Sequence, residues 1–145
     1  QGDIFNMKFD INFDLVWNIG LIEHYSEEEI EKIVRNMYNA VNDDGVMIIG
    51  IPNRRSIAVL KAALLGSVFG KFFLFWAPGY RNDSEILYGE KKIKKIIKKV
   101  TNKEAEIGYA GSFLWVGCFR SLIKFFDKKF KKSKFSFLTL FSVIK

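Results

Sequence analysis

Phe13-Asp14-Leu15-Val16-Trp17-Asn18-Ile19 runs straight into Gly20-Leu21-Ile22-Glu23-His24-Tyr25, and the junction of this apolar run with a polar cluster decides the fold. Apolar residues fall on both alternating faces of 13–19. That suits a parallel strand covered by helices on either side better than a half-exposed antiparallel one, so an inner strand is expected. The only histidine of the chain follows directly.

Downstream, Ser26 and Glu29 have the spacing of a capping box, and Ile30, Ile33, Val34, Met37, Tyr38 and Val41 recur at helical intervals. A helix over 26–41 is expected, its acidic start suited to the helix dipole. Asn42-Asp43-Asp44-Gly45 reads as a turn, and Val46-Met47-Ile48-Ile49-Gly50-Ile51 as an apolar strand stopped by Pro52. Strand, helix and strand in this order favour a right-handed parallel crossover. Residues 89–100 alternate lysines with Ile93, Ile96, Ile97 and Val100, an amphipathic helix. Two further strands are expected at 104–110 and 135–144, with a basic, phenylalanine-rich helix over 116–131 between them.

The chain has 145 residues, 49% of them hydrophobic, enough for one domain with a core. Cys118 is the sole cysteine, which excludes an internal disulfide and suits a reducing compartment. Gln1-Gly2-Asp3 lacks the parts of a secretory signal and agrees with a cut start. The net charge of +7 is concentrated in lysines at 91–103 and 120–134. That favours an anionic partner or a solvated helix face, but no nucleic-acid-binding signature accompanies it, and nucleic acid is not expected as a partner.

Gly2-Asp3-Ile4, some ten residues before the first strand, together with Asn18-Ile19-Gly20, Glu23-His24 and a second strand ending in Pro52-Asn53, resembles the class I S-adenosylmethionine-dependent methyltransferases. The resemblance implies an α/β, Rossmann-like sheet of which this chain supplies the last four strands, the final one antiparallel, with helical lid insertions at 54–83 and 113–134. It implies that residues 1–145 are the carboxyl-terminal part of one such domain. The glycine-rich half that receives the rest of the cofactor would precede it; without that half, strand 13–19 is expected to be an exposed edge, and the chain alone is expected to be inactive.

The same resemblance assigns Asp3 and Ile4 to the adenine of S-adenosylmethionine and Asn18, Ile19 and Gly20 to the loop beneath the cofactor. Asp3 could instead be a simple turn residue. His24, with Glu23 beside it, is the candidate general base toward a hydroxyl or amine, or else positions the helix that follows. Ubiquinone-biosynthesis-type O-methyltransferases carry a Glu-x-x-Glu-His arrangement here that is associated with a divalent metal. Gly20 replaces the first glutamate, and no tightly held metal is expected. Asn53 would orient substrate near the transferred methyl or satisfy its own turn.

The nearly apolar stretch 57–77 reads as a buried or interfacial hairpin rather than a membrane crossing, because Lys61 and Lys71 lie inside it. Phe72, Phe73 and Trp76 would roof an apolar, lipid-like acceptor, sink into a lipid surface, or pack in the core. The expected protein is a cytoplasmic methyltransferase of a small molecule with peripheral membrane contact. The alternative is a non-catalytic membrane-surface or lipid-binding module.

Overall fold

The computed structural model describes residues 2–7, 9–68, 72, 85–112, 124, 128, 129 and 133–145. The helix expected over 116–131, the lid residues Phe73 and Trp76, and most of both insertions beyond residue 68 lie outside the described residues. Strand β1 (Phe13–Ile19) is followed by a 3-10 turn (Ile22–His24), helix α1 (Glu27–Asn39) and strand β2 (Val41–Pro52). Helix α2 (Ile57–Gly66), helix α3 (Glu90–Thr101), strand β3 (Glu106–Ala110) and strand β4 (Leu138–Ile144) complete the order.

The four strands form one sheet in the order β1-β2-β4-β3. β1 and β2 are parallel, with Leu15 opposite Val46 and Ile19 opposite Gly50. β4 runs against β2: the Lys145 amide donates to Gly45 O at 2.9 Å near the start of β2, while a Cβ on Gly50 near its end would meet Leu140 at 3.0 Å. β3 also opposes β4, since Lys103 Nζ reaches Ile144 O at 3.1 Å and Gly108 faces Leu140. The last strand in sequence is thus inserted antiparallel between its predecessors, as the methyltransferase resemblance implies. Among the described residues β1 is an edge of the sheet, as expected of a chain that carries only the last four strands of such a fold.

The chain divides into two compact units, one of Gln1–Ile51, Tyr88–Gly108 and Leu140–Lys145, the other of Pro52–Leu87 and Tyr109–Thr139. In the first, α1 and α3 lie together on one face of the sheet and bury Ile30, Ile33, Val34 and Met37 with Ile93, Ile96 and Ile97 against Met47, Ile49, Phe141 and Val143. Ion pairs Lys92–Glu27 and Lys99–Glu31 bridge the two helices at their solvent side. Such exposed pairs contribute little beside the apolar seam.

The Ser26 capping box is formed as the spacing predicts, with side chain and backbone bonds in both directions. The resulting bonds to Ser26 hold the Glu29 carboxyl below its ordinary pKa. α1 stops at Asn39 rather than 41 because Ala40 O accepts from Phe13 N at 2.9 Å and Val41 already pairs with Phe13. Consequently Asn42-Asp43-Asp44-Gly45 is not a turn between elements but an irregularity inside β2, where the register shifts and Asp44 takes φ 66°.

In the second unit, Ser56 caps α2 through Val59 N at 3.1 Å. Helix α2 occupies the first half of the stretch expected as a hairpin, whose second half lies outside the described residues, and buries Ala58, Val59, Ala62 and Leu65. No helix among the described residues is long and apolar enough to cross a membrane.

Candidate active site

β1 ends in a corner built on glycine. Gly20 has φ +74°, a left-handed conformation that costs an L side chain free energy, and its amide donates to Gly50 O at 3.1 Å. A Cβ at Gly20 would find only Glu23 Oε1 at 3.6 Å, so the space over the corner is open. The 3-10 turn that follows buries Ile22 fully and leaves Glu23 only 3% exposed, while His24 faces solvent. Its backbone is closed by His24 N to Leu21 O and Tyr25 N to Ile22 O, both 3.2 Å.

The segment before β1 packs against Tyr25, which follows the 3-10 turn, and against α1. Asp3 forms a tight turn: its two carboxylate oxygens accept from Phe5 N at 3.0 Å and Asn6 Nδ2 at 2.7 Å, and its carbonyl from Asn6 N at 3.0 Å. The turn role open to Asp3 is therefore present, and a carboxylate with one bond per oxygen still has lone pairs for a ligand. Ile4 O accepts from Asn36 Nδ2 of α1 at 2.9 Å. The Phe5 ring meets Tyr25 edge-on, with centroids 5.3 Å apart at 84°. Phe5 is two residues from Asp3 and Tyr25 one residue from His24, so this contact links the two expected binding segments at the carboxyl end of β1.

Asn18 points toward α1, where its Nδ2 lies 3.2 Å from Met37 Sδ. Its Oδ1 is buried without a hydrogen-bond partner among the described residues. A buried acceptor left unpaired is costly and marks a place where a donor from outside the described residues would be gained. A cavity of about 250 Å³ opens beside β1, lined by Ile4, Met7, Phe13, Val16, Trp17 and Met37.

The remaining expected site residues lie in the second unit. Asn53 is 3% exposed, and its amide nitrogen donates to Lys134 O at 2.9 Å and Ser136 O at 2.8 Å. Its Oδ1 accepts from Arg55 N at 3.0 Å, which leaves one lone pair. Phe72 is 76% exposed. Phe5, Tyr25 and Asn36 were not singled out in the sequence, yet they hold the Asp3 turn in place. Asn36 could have been found, because it follows Ile33 by three residues and adjoins Met37 on the buried stripe of α1.

No family model matches the chain, and no curated protein is similar to it in sequence. Solved structures are similar in fold. A possible histamine N-methyltransferase of the SAM-dependent class from Thermotoga maritima superposes with a TM-score of 0.63 at 13% identity, over 99% of this chain and 61% of that one. The magnesium protoporphyrin IX methyltransferase of Synechocystis with bound S-adenosylhomocysteine gives 0.55 at 12% identity, over 99% and 49%. A putative O-methyltransferase from Nostoc punctiforme gives 0.53 at 15% identity, over 98% and 35%. The chain spans between about a third and three fifths of the length of these structures. Its strand order, its antiparallel last strand and these superpositions agree: the chain carries a substantial part of the Rossmann-like fold of the SAM-dependent methyltransferases.

Proposed function

We propose that this chain is the acceptor-side part of an S-adenosylmethionine-dependent methyltransferase that acts on a small, apolar or lipid-like molecule. The observation that supports the reading is the corner after β1, an open left-handed glycine at the carboxyl end of a parallel strand, with the Asp3 turn tied through the Phe5–Tyr25 ring contact to the segment that follows the corner. That is where open α/β sheets bind ligands. These residues fit an adenosyl group: Asp3 keeps acceptor capacity for an exocyclic amine, Ile4 offers an apolar wall, and Asn18-Ile19-Gly20 admits close approach to backbone. When bound, S-adenosylmethionine supplies an electrophilic sulfonium methyl.

The chain's own residues then orient and deprotonate. His24, exposed beside this corner, takes the proton of an acceptor hydroxyl or amine at an imidazole nitrogen, and the largely buried Glu23 anchors the turn that presents it. Asn53 fixes the loop after β2 through Lys134 O, Ser136 O and Arg55 N and retains one lone pair. The resemblance assigns Phe72, Phe73 and Trp76 to selection of a hydrophobic substrate, and the exposure of Phe72 suits that role.

Titration of the 145-residue chain with S-adenosylmethionine, followed by amide NMR, tests the site. Weak, millimolar-range binding with shifts confined to residues 3–5 and 18–24 is expected, and shifts centred elsewhere refute the placement. In an assembled, active enzyme, His24→Asn should slow transfer to a hydroxyl acceptor by about 10²–10⁴-fold, and an unchanged rate removes the base role.

One observation favours the second reading, a lipid-surface module. Leu60 (58%), Leu64 (51%), Val68 (76%) and Phe72 (76%) recur at four-residue spacing and are all exposed. Flotation with anionic liposomes that is abolished by Leu64→Glu with Phe72→Glu supports this surface as a membrane contact, and no flotation at low salt removes it.

A further inference from the structure

Tyr88 stands at the entry to α3, one residue before the Gly89 cap, and its side chain belongs to the core of the first unit. It is buried, and its hydroxyl donates to Tyr25 O at 2.8 Å. A phenylalanine would fill the same space with no polar group to satisfy, so what the hydroxyl adds is this bond. Tyr25 closes the 3-10 turn that carries His24 and directly precedes the Ser26 cap of α1. Its ring meets Phe5 edge-on at 5.3 Å. The amides of Phe5 and Asn6 in turn donate to Asp3, at Oδ1 and at the carbonyl, both at 3.0 Å. On its other side Tyr88 is braced by α3: Lys92 Nζ lies 5.7 Å from the ring centroid and pairs with Glu27 of α1 at 2.5 Å. An unbroken series of contacts thus runs from the first turn of α3 through Tyr88, Tyr25 and Phe5 to the Asp3 carboxylate, all within the first unit.

We propose that Tyr88 is a positioning residue: acting through the Tyr25 carbonyl and the Tyr25–Phe5 ring pair, its hydroxyl holds the Asp3 turn and the turn that bears His24 in one fixed arrangement. The Asp3 turn has a second anchor on α1, where Asn36 Nδ2 donates to Ile4 O at 2.9 Å. That bond alone would let the turn pivot about Ile4 O. The Phe5 ring removes the freedom, because an edge-to-face pair is directional and the Tyr25 ring can set a direction only while its own backbone is fixed. Tyr88 supplies that fixation from α3, across more than sixty residues of chain. The strut itself stands on these contacts. Its consequence for binding rests on the reading of Asp3 as a contact of the adenosyl group, since a site held before the ligand arrives loses less freedom on binding.

The test compares Tyr88→Phe, Phe5→Leu and the double variant with the parent 145-residue chain by amide NMR, first without ligand. Tyr88→Phe should speed exchange with water several-fold at the amides of Phe5 and Asn6, more than eighty residues away in sequence, while the core amides of Ile33 and Ile97 keep their protection. A change confined to Tyr25 and the first turn of α1 overturns the proposal, and so does an equal rise at Ile33 and Ile97, which would mean general loosening. S-adenosylmethionine is then added, and the initial slope of the shifts at residues 3–5 is read against its concentration. Each single variant should lower that slope by about three- to tenfold, the worth of one lost hydrogen bond or ring contact. The double variant should fall no further than the weaker single, because both changes cut the same series of contacts. Fully additive losses would show that Tyr88 acts on binding by another route and overturn the proposal. A parent chain with no ligand shifts at 3–5 and 18–24 would fault the functional reading alone, and the exchange at Phe5 and Asn6 would still decide whether Tyr88 holds the Asp3 turn.

Discussion

Replacing Gly20 separates the backbone demand of the corner from its role as a binding surface. At φ +74° an alanine carries the left-handed penalty of about 1–2 kcal/mol. Sterics add nothing, because the new Cβ has only Glu23 Oε1 for company at 3.6 Å. Asparagine visits this conformation far more readily and should lose only a few tenths of a kcal/mol. With a urea m-value of about 2 kcal/mol/M, Gly20→Ala lowers the unfolding midpoint by about 0.5–1 M while Gly20→Asn barely moves it. Valine, β-branched, should be worst of the three. Both Ala and Asn also put side-chain atoms over the corner, so amide shifts on adding S-adenosylmethionine should shrink in both, including the stable Asn variant. Urea unfolding by far-UV dichroism gives the first ranking, NMR titration the second. An alanine variant as stable as the parent refutes the strained-corner argument, and undiminished ligand shifts in Gly20→Asn refute the binding surface.

Other perturbations report on the frame around that corner. Gly45→Ala places a Cβ 2.7 Å from Val41 Cγ1, 3.0 Å from Asn42 O and 3.1 Å from Asp14 O, so β2 must move away from β1. A loss of about 1–3 kcal/mol in thermal or urea unfolding is expected, and a neutral result would mean that the irregularity at 42–45 yields easily. Phe141, fully buried at the centre of the helix-covered face, should cost about 3–5 kcal/mol as alanine in the same measurement. Tyr88 donates its hydroxyl to Tyr25 O at 2.8 Å, and burial, reinforced by Glu27, raises its pKa above the ordinary 10.0. A group whose pKa is raised on folding contributes stability that is present below its unfolded pKa and lost as pH climbs through the folded value. Stability should therefore fall above about pH 10. Tyr88→Phe should flatten that part of a pH series of unfolding midpoints, and an unchanged alkaline slope would assign the loss to other groups.

The strands and the two amphipathic helices were legible because each carries its own period: two-sided apolar runs at 13–19 and 46–51, and 3.6-residue stripes at 30–37 and 93–97. The start of β2 was not. Asn42-Asp43-Asp44-Gly45 contains the residues that make turns, and Asp44 does take a turn conformation, but pairing on either side absorbs it: Val41 joins Phe13 and Val46 joins Leu15. Local chemistry favoured a turn, and the sheet turned it into a bulge-like irregularity. Gly20 could be read as a place of close approach without knowing its φ. Asn53 could not be resolved from sequence, because the groups that occupy its amide belong to Lys134 and Ser136, more than eighty residues away. Trp17 gave a mixed signal: its face reads as buried, and in this chain it is open.

Two glycines, not one, shape the proposed site. Gly20 bends the chain at the end of β1 and spends its amide on Gly50 O, so the corner is tied to the neighbouring strand rather than left as a free loop. Gly50 in turn has no room for a side chain: a Cβ there would lie 2.9 Å from Ile19 Cγ1 and 3.0 Å from Leu140 Cδ2. Its bareness lets Ile19 and Leu140 close over the strand on the second face while its carbonyl holds Gly20. The corner that would meet the adenosyl group and the second, open face of the sheet therefore share Ile19, the residue between Asn18 and Gly20. Covering the second face would fix Ile19 from above just as Gly50 fixes Gly20 from the side, and a binding corner held on both sides loses less freedom when a ligand arrives. On this reasoning affinity for S-adenosylmethionine rises with rigidity at Ile19 when the second face is covered.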